Sequence, residues 1–130
     1  MPTLIFNADD YGLSPGVSRG ILEAAGGVVR STTVLANFVT PPEADALSAS
    51  ELACGAHLNI SSGRPLTKYP QQLLKQDGSF DKQLALTSAT WEDAALRKAV
   101  LLEWEAQLAY LYELGLRIEH LDSHHHTHMV

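Results

Sequence analysis

A chain of 130 residues, 45% hydrophobic and 18% charged, is long enough to bury one core and too apolar for disorder, so a single domain over residues 1–130 is expected. Nine basic residues against fifteen acidic ones leave a net charge of -6, and no block of Lys or Arg can track a phosphate backbone, which argues against nucleic acid as a partner. No apolar run approaches the ~20 residues that span a bilayer, and Met1 to Phe6 shows no basic segment ahead of a long apolar one, so a soluble, cytoplasmic protein with no membrane partner is expected.

Leu4 to Phe6 is a short apolar run that ends in Asn7, Ala8, Asp9, Asp10, Tyr11 and Gly12, which predicts a buried strand emptying into a polar loop. Ser14 and Pro15 then suit the cap and first turn of a helix whose apolar face is Val17, Ile21, Leu22 and Ala25, stopped by Gly26 and Gly27. Ser31 to Asn37 is β-branched and reads as the second strand. Thr40 with Glu43 three residues later is a capping-box pattern that opens a short helix to about Ala49. Cys54 to Ile60 reads as the third strand. From Ser61 to about Ala89 no periodicity stands out, and a loop of that length predicts a substrate-facing role. The longest helix is expected from Thr90 to about Leu114, with Leu96, Val100, Trp104, Leu108 and Leu111 at helical spacing, and Ile118 to Leu121 reads as the fourth strand. Strands alternating with helices imply βαβ units, an α/β fold with a parallel sheet.

In such sheets and barrels the active site forms at the carboxyl ends of the strands. Asp9 and Asp10, His57 and His124 each lie at or just after the end of a predicted strand, so topology brings them toward one face. Imidazoles and carboxylates are the groups that bind catalytic divalent metals. Adjacent side chains diverge, so one of Asp9 and Asp10 can bind metal while the other faces an attacking water; a solvated acidic turn is the plain alternative. His57, taken by itself, reads as a hydrogen-bonded core histidine, and only its place at the strand end favours a ligand. In the run His124 to His128, alternate side chains of an extended loop would turn His124 and His126 inward, whereas a helical turn would pair His124 with His128, and the sequence leaves both open. Asp122 is placed to orient a ligating imidazole by accepting its other N–H. Cys54, with no partner for a disulfide, reads as a buried structural thiol. Trp91, Trp104, Tyr110 and Tyr112 read as core and helix-face residues, whereas Tyr11 and Tyr69 fall in predicted loops where stacking on a ligand stays open.

Three blocks carry a likeness: Asn7 to Ser14, Gly55 to Asn59, and His120 to His128, in that order, with Gly16 to Ile21 and Ser31 to Thr33 adding to it. Together they resemble the YdjC-like carbohydrate deacetylases, the family that includes chitooligosaccharide deacetylase. The resemblance implies a TIM-barrel-like α/β fold and a metal-dependent hydrolase that removes the N-acetyl group from an acetylated amino sugar or chitooligosaccharide. It implies Asp10, His57 and His124 as ligands of one divalent metal ion, Mg or Zn first with Mn or Co compatible, and Asp9 as general base. Asp122, His126 and His128 stand as accessory candidates. The likeness covers this chain as the N-terminal half of such proteins, and it implies that a histidine general acid and much of the sugar pocket belong to later segments. Four strands cannot close an eight-stranded barrel, so a partial barrel is expected, completed by self-association or by a C-terminal half. The alternatives are another metal-dependent amidohydrolase or phosphoesterase, or an inert metal-binding fragment.

Overall fold

The computed structural model describes residues 4–129; Met1, Pro2, Thr3 and Val130, which the expected 1–130 domain includes, lie outside the described residues. Four strands, β1 (Phe6–Tyr11), β2 (Val29–Val34), β3 (Ala53–Leu58) and β4 (Ile118–Ser123), form one sheet in the order β1-β2-β3-β4. Every neighbouring pair is parallel. Helices α1 (Pro15–Ala24), α2 (Pro41–Ser48) and α5 (Ala94–Glu113) form the crossovers, with the short helices α3 (Lys82–Ala85) and α4 (Ser88–Glu92) and a 3-10 turn, Gln71–Leu73, between β3 and α5. This is the expected α/β arrangement of parallel βα units.

Side chains alternate across a strand, and here the two faces of the sheet differ completely in chemistry. Ala8, Val34, Cys54, Ala56, Leu58 and Ile118 face the helices and join Ile21, Leu47 and Leu111 in the core. The other face carries Asn7 and Asp9 from β1, Ser31 and Thr33 from β2, Gly55 and His57 from β3, and His120 and Asp122 from β4. Packed TIM barrels fill their interior with layers of branched apolar side chains. The non-helical face of this sheet is a polar, hydrogen-bonded surface instead.

Several boundaries differ from the sequence reading. The first strand begins where its apolar run was expected to end: Leu4, Ile5 and Phe6 are 76, 69 and 49% exposed, and Asn7, Asp9 and Asp10 lie on β1 itself. With only β2 beside it, β1 has no second neighbour among the described residues to bury those side chains. The stretch from Ser61 to Ala89 is not structureless. An isolated bridge, Leu74 to Phe80, closes it on itself, and Ile60, Phe80, Ala85 and Val100 form a second small core with Tyr69, Leu74, Trp91 and Trp104 packed on it. Its elements are too short for a periodic signal. The longest helix starts at Ala94, not Thr90, because the Asp93 side chain accepts from the Ala95 and Leu96 N–H groups and caps it there. Cys54 is buried, and burial pushes its thiol up to about 11, in keeping with an inert structural role. Tyr11 is no ligand platform: it is fully buried with its hydroxyl donating to the Glu43 carbonyl, 2.7 Å away. Tyr69 packs edge-on against Phe80 within the second core.

Candidate metal centre

The carboxyl end of β1 is shaped by a bulge. Ala8 pairs with Thr32 and Tyr11 with Val34, so β1 spends one residue more than β2 over the same stretch. A bulge re-aims the side chain it carries. Asp10 takes it up in the left-handed region, φ 68°, where aspartate is tolerated better than most residues. Gly12 follows at φ 93°, and a Cβ there would lie 2.8 Å from that of Val39, so only glycine fits the turn into α1. The result separates the adjacent carboxylates: Asp9 stays on the open polar face and Asp10 tips over the strand ends.

Asp10 meets two imidazoles there. Its Oδ1 lies 3.2 Å from His57 Nε2, at the end of β3, and 2.8 Å from His124 Nδ1, just after β4. That oxygen is buried and takes no hydrogen bond. An orphaned buried carboxylate oxygen is costly, and one pointed between two imidazole nitrogens is what a cation would satisfy. Among the described residues two groups can offer atoms to a metal within 4.8 Å of one another: Asp10, His57 and His124, and Asp9, His57 and Asp122. Both groups draw on His57, through opposite nitrogens. His57 Nδ1 is 2.6 Å from Asp122 Oδ1, a hydrogen-bond distance that sets the proton on Nδ1 and leaves the Nε2 lone pair facing Asp10. An ion held through that Nε2 lone pair would take Asp10, His57 and His124 as its donors, with Asp122 behind His57.

Thr33 knits this arrangement together. Its hydroxyl lies 3.1 Å from Asp122 Oδ2, 3.2 Å from His57 Nδ1 and 3.5 Å from Asp9 Oδ1. Asp9 also accepts from Asn7 Nδ2 at 2.7 Å. Burial would lower the pKa of His57, but the hydrogen bond and charge of Asp122, helped by Asp10 and Asp9, outweigh it and hold the imidazole above its ordinary value. Burial also works against the Asp122 carboxylate, and its bond to His57 more than compensates, keeping it below the usual range. His124 moves the other way: burial lowers it, and the pull of Asp10 upward is too weak to reverse that.

The histidine run adopts neither geometry expected for it. After β4 the chain makes a 3-10 segment, His124–Met129, interrupted by His125 and His126 in left-handed conformations, φ 54° and 55°. His124 is buried, whereas His126 and His128 are exposed and stand outside both groups. His128 turns back on Ser123, whose Oγ is 2.5 Å from its Nδ1 and accepts from its backbone N–H. The turn replaces both strand-like alternation and an i, i+4 helical pairing. His125 is exposed, as strand-like alternation would have it, and its ring lies against that of His124, centroids 3.9 Å apart. Sequence reasoning passed over Thr33, although a threonine amid buried strand residues is a signal of polar pairing.

A family model described as "YdjC-like protein" matches residues 3–130. The chain belongs to the YdjC-like family. Among its relatives, one from Vibrio vulnificus (strain CMCP6), named a carbohydrate deacetylase, is 42% identical over 96% of this chain and 49% of that protein. Another of that name, from Halalkalibacterium halodurans, is 41% identical over 96% of this chain and 54% of its own length. A crystal structure of an Enterococcus faecalis V583 protein named for cellobiose-phosphate cleavage superposes with a TM-score of 0.78 at 34% identity, covering 95% of this chain and 49% of that one. This chain thus spans about half the length of these YdjC-like relatives. No helix among the described residues is long and apolar enough to cross a membrane.

Proposed function

We propose that this chain carries the metal-binding half of a carbohydrate deacetylase, which hydrolyses the N-acetyl group of an acetylated amino sugar or chitooligosaccharide to release acetate. The observation that carries the reading is the orphaned Asp10 Oδ1 facing His57 Nε2 and His124 Nδ1, with a second carboxylate, Asp9, one residue away and free of that cluster. The relatives' name, carbohydrate deacetylase, supports a carbohydrate substrate and loss of an acetyl group from it. Asp10, His57 and His124 would hold one divalent ion. Two imidazoles and one carboxylate accept Zn readily and leave Mg, Mn or Co open. A bound ion supplies positive charge that polarises an amide carbonyl and acidifies water. Asp9, oriented by the Asn7 amide, would take a proton from the water as its oxygen adds to the carbonyl carbon, and the C–N bond would break afterwards as the leaving amine gains a proton. Asp122 keeps the His57 lone pair turned inward. The acid that protonates the leaving amine, and the walls that grip the sugar, belong to polypeptide outside this chain, either a second copy or the rest of a longer protein. A lone buried thiol accords with a reducing, cytoplasmic setting.

Metal content of the purified, untagged chain tests this. About one ion per chain is expected in the wild type and in Asp9→Ala, and none in Asp10→Ala or His57→Ala. Acetate release from N-acetylated oligosaccharides, absent in Asp9→Ala, then separates a deacetylase from another amidohydrolase; phosphate release from generic phosphoesters instead would point to a phosphoesterase. Metal uptake without any turnover would leave an inert binding half, and metal indifferent to both ligand substitutions would overturn the site.

A further inference from the structure

The two imidazoles of the centre are held in different ways. Behind His57 stands Asp122, a hydrogen-bonding group of the kind that usually orients a metal-ligating histidine. His124 turns its Nδ1 toward Asp10, and among the described residues its other ring nitrogen has no such acceptor. What touches the His124 ring is another ring: His57 edge-on at 5.4 Å between centroids, and His125 at 3.9 Å, tilted by 41°.

That second contact is unusual between consecutive residues, whose side chains ordinarily diverge. It exists because His125 adopts φ 54° and ψ 24°, a strained conformation for a residue with a Cβ, which folds its ring back over its neighbour. His125 is then tied down from the other side, with Nδ1 2.9 Å from the hydroxyl of Ser61. Ser61 is 4% exposed, and its N–H donates to Asn59 Oδ1. Asn59, wholly buried, exchanges two hydrogen bonds with Gln107 of α5: its N–H donates to Oε1 at 2.9 Å and its carbonyl accepts from Nε2 at 2.6 Å. Gln107 Nε2 also donates to Glu103 Oε1. A continuous polar chain, buried as far as Ser61, thus runs from the longest helix to the exposed ring that lies tilted against His124.

We infer that Ser61 and His125 are positioning residues for His124, with Asn59, Gln107 and Glu103 as their fixed anchor. The inference rests on the metal-centre reading above and names what orients the imidazole that has no acceptor behind it. Simple loop packing would ask for neither a left-handed histidine nor a buried serine hydroxyl aimed at it. His125 binds no metal in this arrangement; it limits the rotation of the ring that does.

Cobalt(II) titration of the metal-free chain, followed by visible absorption, provides the test. Ser61→Ala is expected to weaken cobalt binding about 10- to 100-fold and to change the ligand-field bands, as loss of a ligand-orienting group does. Ser61→Thr, which restores the hydroxyl, should bring both back. His125→Asn removes the ring while tolerating the left-handed turn, so it should weaken binding with the native circular dichroism kept. Because both act through one contact, the double variant should be no weaker than the weaker single variant. Wild-type affinity and bands in both Ser61→Ala and His125→Asn would overturn the inference. A wild-type chain that takes up no cobalt would sink the metal reading itself and this one with it, an outcome told apart because the wild type, not the variants, is then silent.

Discussion

Gly55 lacks a side chain where the imidazole of His120 passes. From β4 that ring crosses over β3 and brings Nε2 to 3.2 Å from both Ser31 Oγ and Asn7 Oδ1. A Cβ on Gly55 would lie 2.5 Å from the same nitrogen. The Asn7 amide is oriented by this layer: Ser31 donates to its Oδ1 and its Nδ2 donates to Asp9, so a flipped amide would set two oxygens 2.7 Å apart. Gly55→Ala is therefore expected to cost about 1–3 kcal/mol by overpacking. Gly20→Ala, on the exposed side of α1 with open space around it, should instead stabilise by about 0.5–1 kcal/mol, since glycine is a poor helix former. Urea unfolding compares the two; equal midpoints would mean that His120 is not held over Gly55. Both residues sit inside the blocks that carry the family likeness, yet their contact could not be read there. It depends on the β3–β4 register, Gly55 against His120, which no local pattern fixes.

At the scale of elements, helix starts were the most legible feature because their chemistry is local. Ser14 accepts from the Val17 N–H as its place before Pro15 predicts. At α2 the Glu43 carboxylate accepts from both the backbone N–H and the hydroxyl of Thr40, and its other oxygen accepts from Ser18 of α1, joining the two helices. Burial works against this carboxylate, but the bonds from Ser18 and Thr40 outweigh it and hold its pKa below the ordinary value. A folded-state pKa below the unfolded one gives stability that is present above the unfolded value and lost as pH falls through the folded one. Glu43→Ala should lower stability by about 1 kcal/mol at neutral pH, and the deficit should shrink in mild acid as the wild type loses the same contribution. A deficit that stays constant with pH would show that the charge plays no part. The polar groups of α5 were illegible for the opposite reason. Glu103 is wholly buried, yet it accepts from Asn37, Gln107, the N–H groups of Leu66 and Thr67, and the Thr67 hydroxyl. Apart from Gln107 on the same helix, its partners come from loops distant in sequence, so only the folded chain shows why a carboxylate sits on that face.

For the whole molecule, the open polar face and the two outer strands belong to one question. Among the described residues β1 pairs only with β2 and β4 only with β3, so each presents a free row of backbone groups. Large apolar side chains flank those rows: Leu4, Ile5 and Phe6 at one edge and Leu121, 55% exposed, on β4 at the other. An unpaired parallel edge with exposed apolar residues is a template for another strand. The relatives are about twice as long as the stretch they share with this chain, and their remaining length is one source of such strands; a second copy is the other. Purified alone, the chain should therefore associate in a concentration-dependent way by light scattering. Ile5→Lys and Leu121→Lys, which place a charge at each edge without touching Asp10, His57 or His124, should shift it toward monomer. If metal uptake persists in that monomer, the centre is complete within these four strands and needs no further strand to form. If uptake disappears with association, the sheet needs its neighbours to hold the carboxyl ends of β1 and β4 in register, and the ligands they carry come apart when the edges are freed.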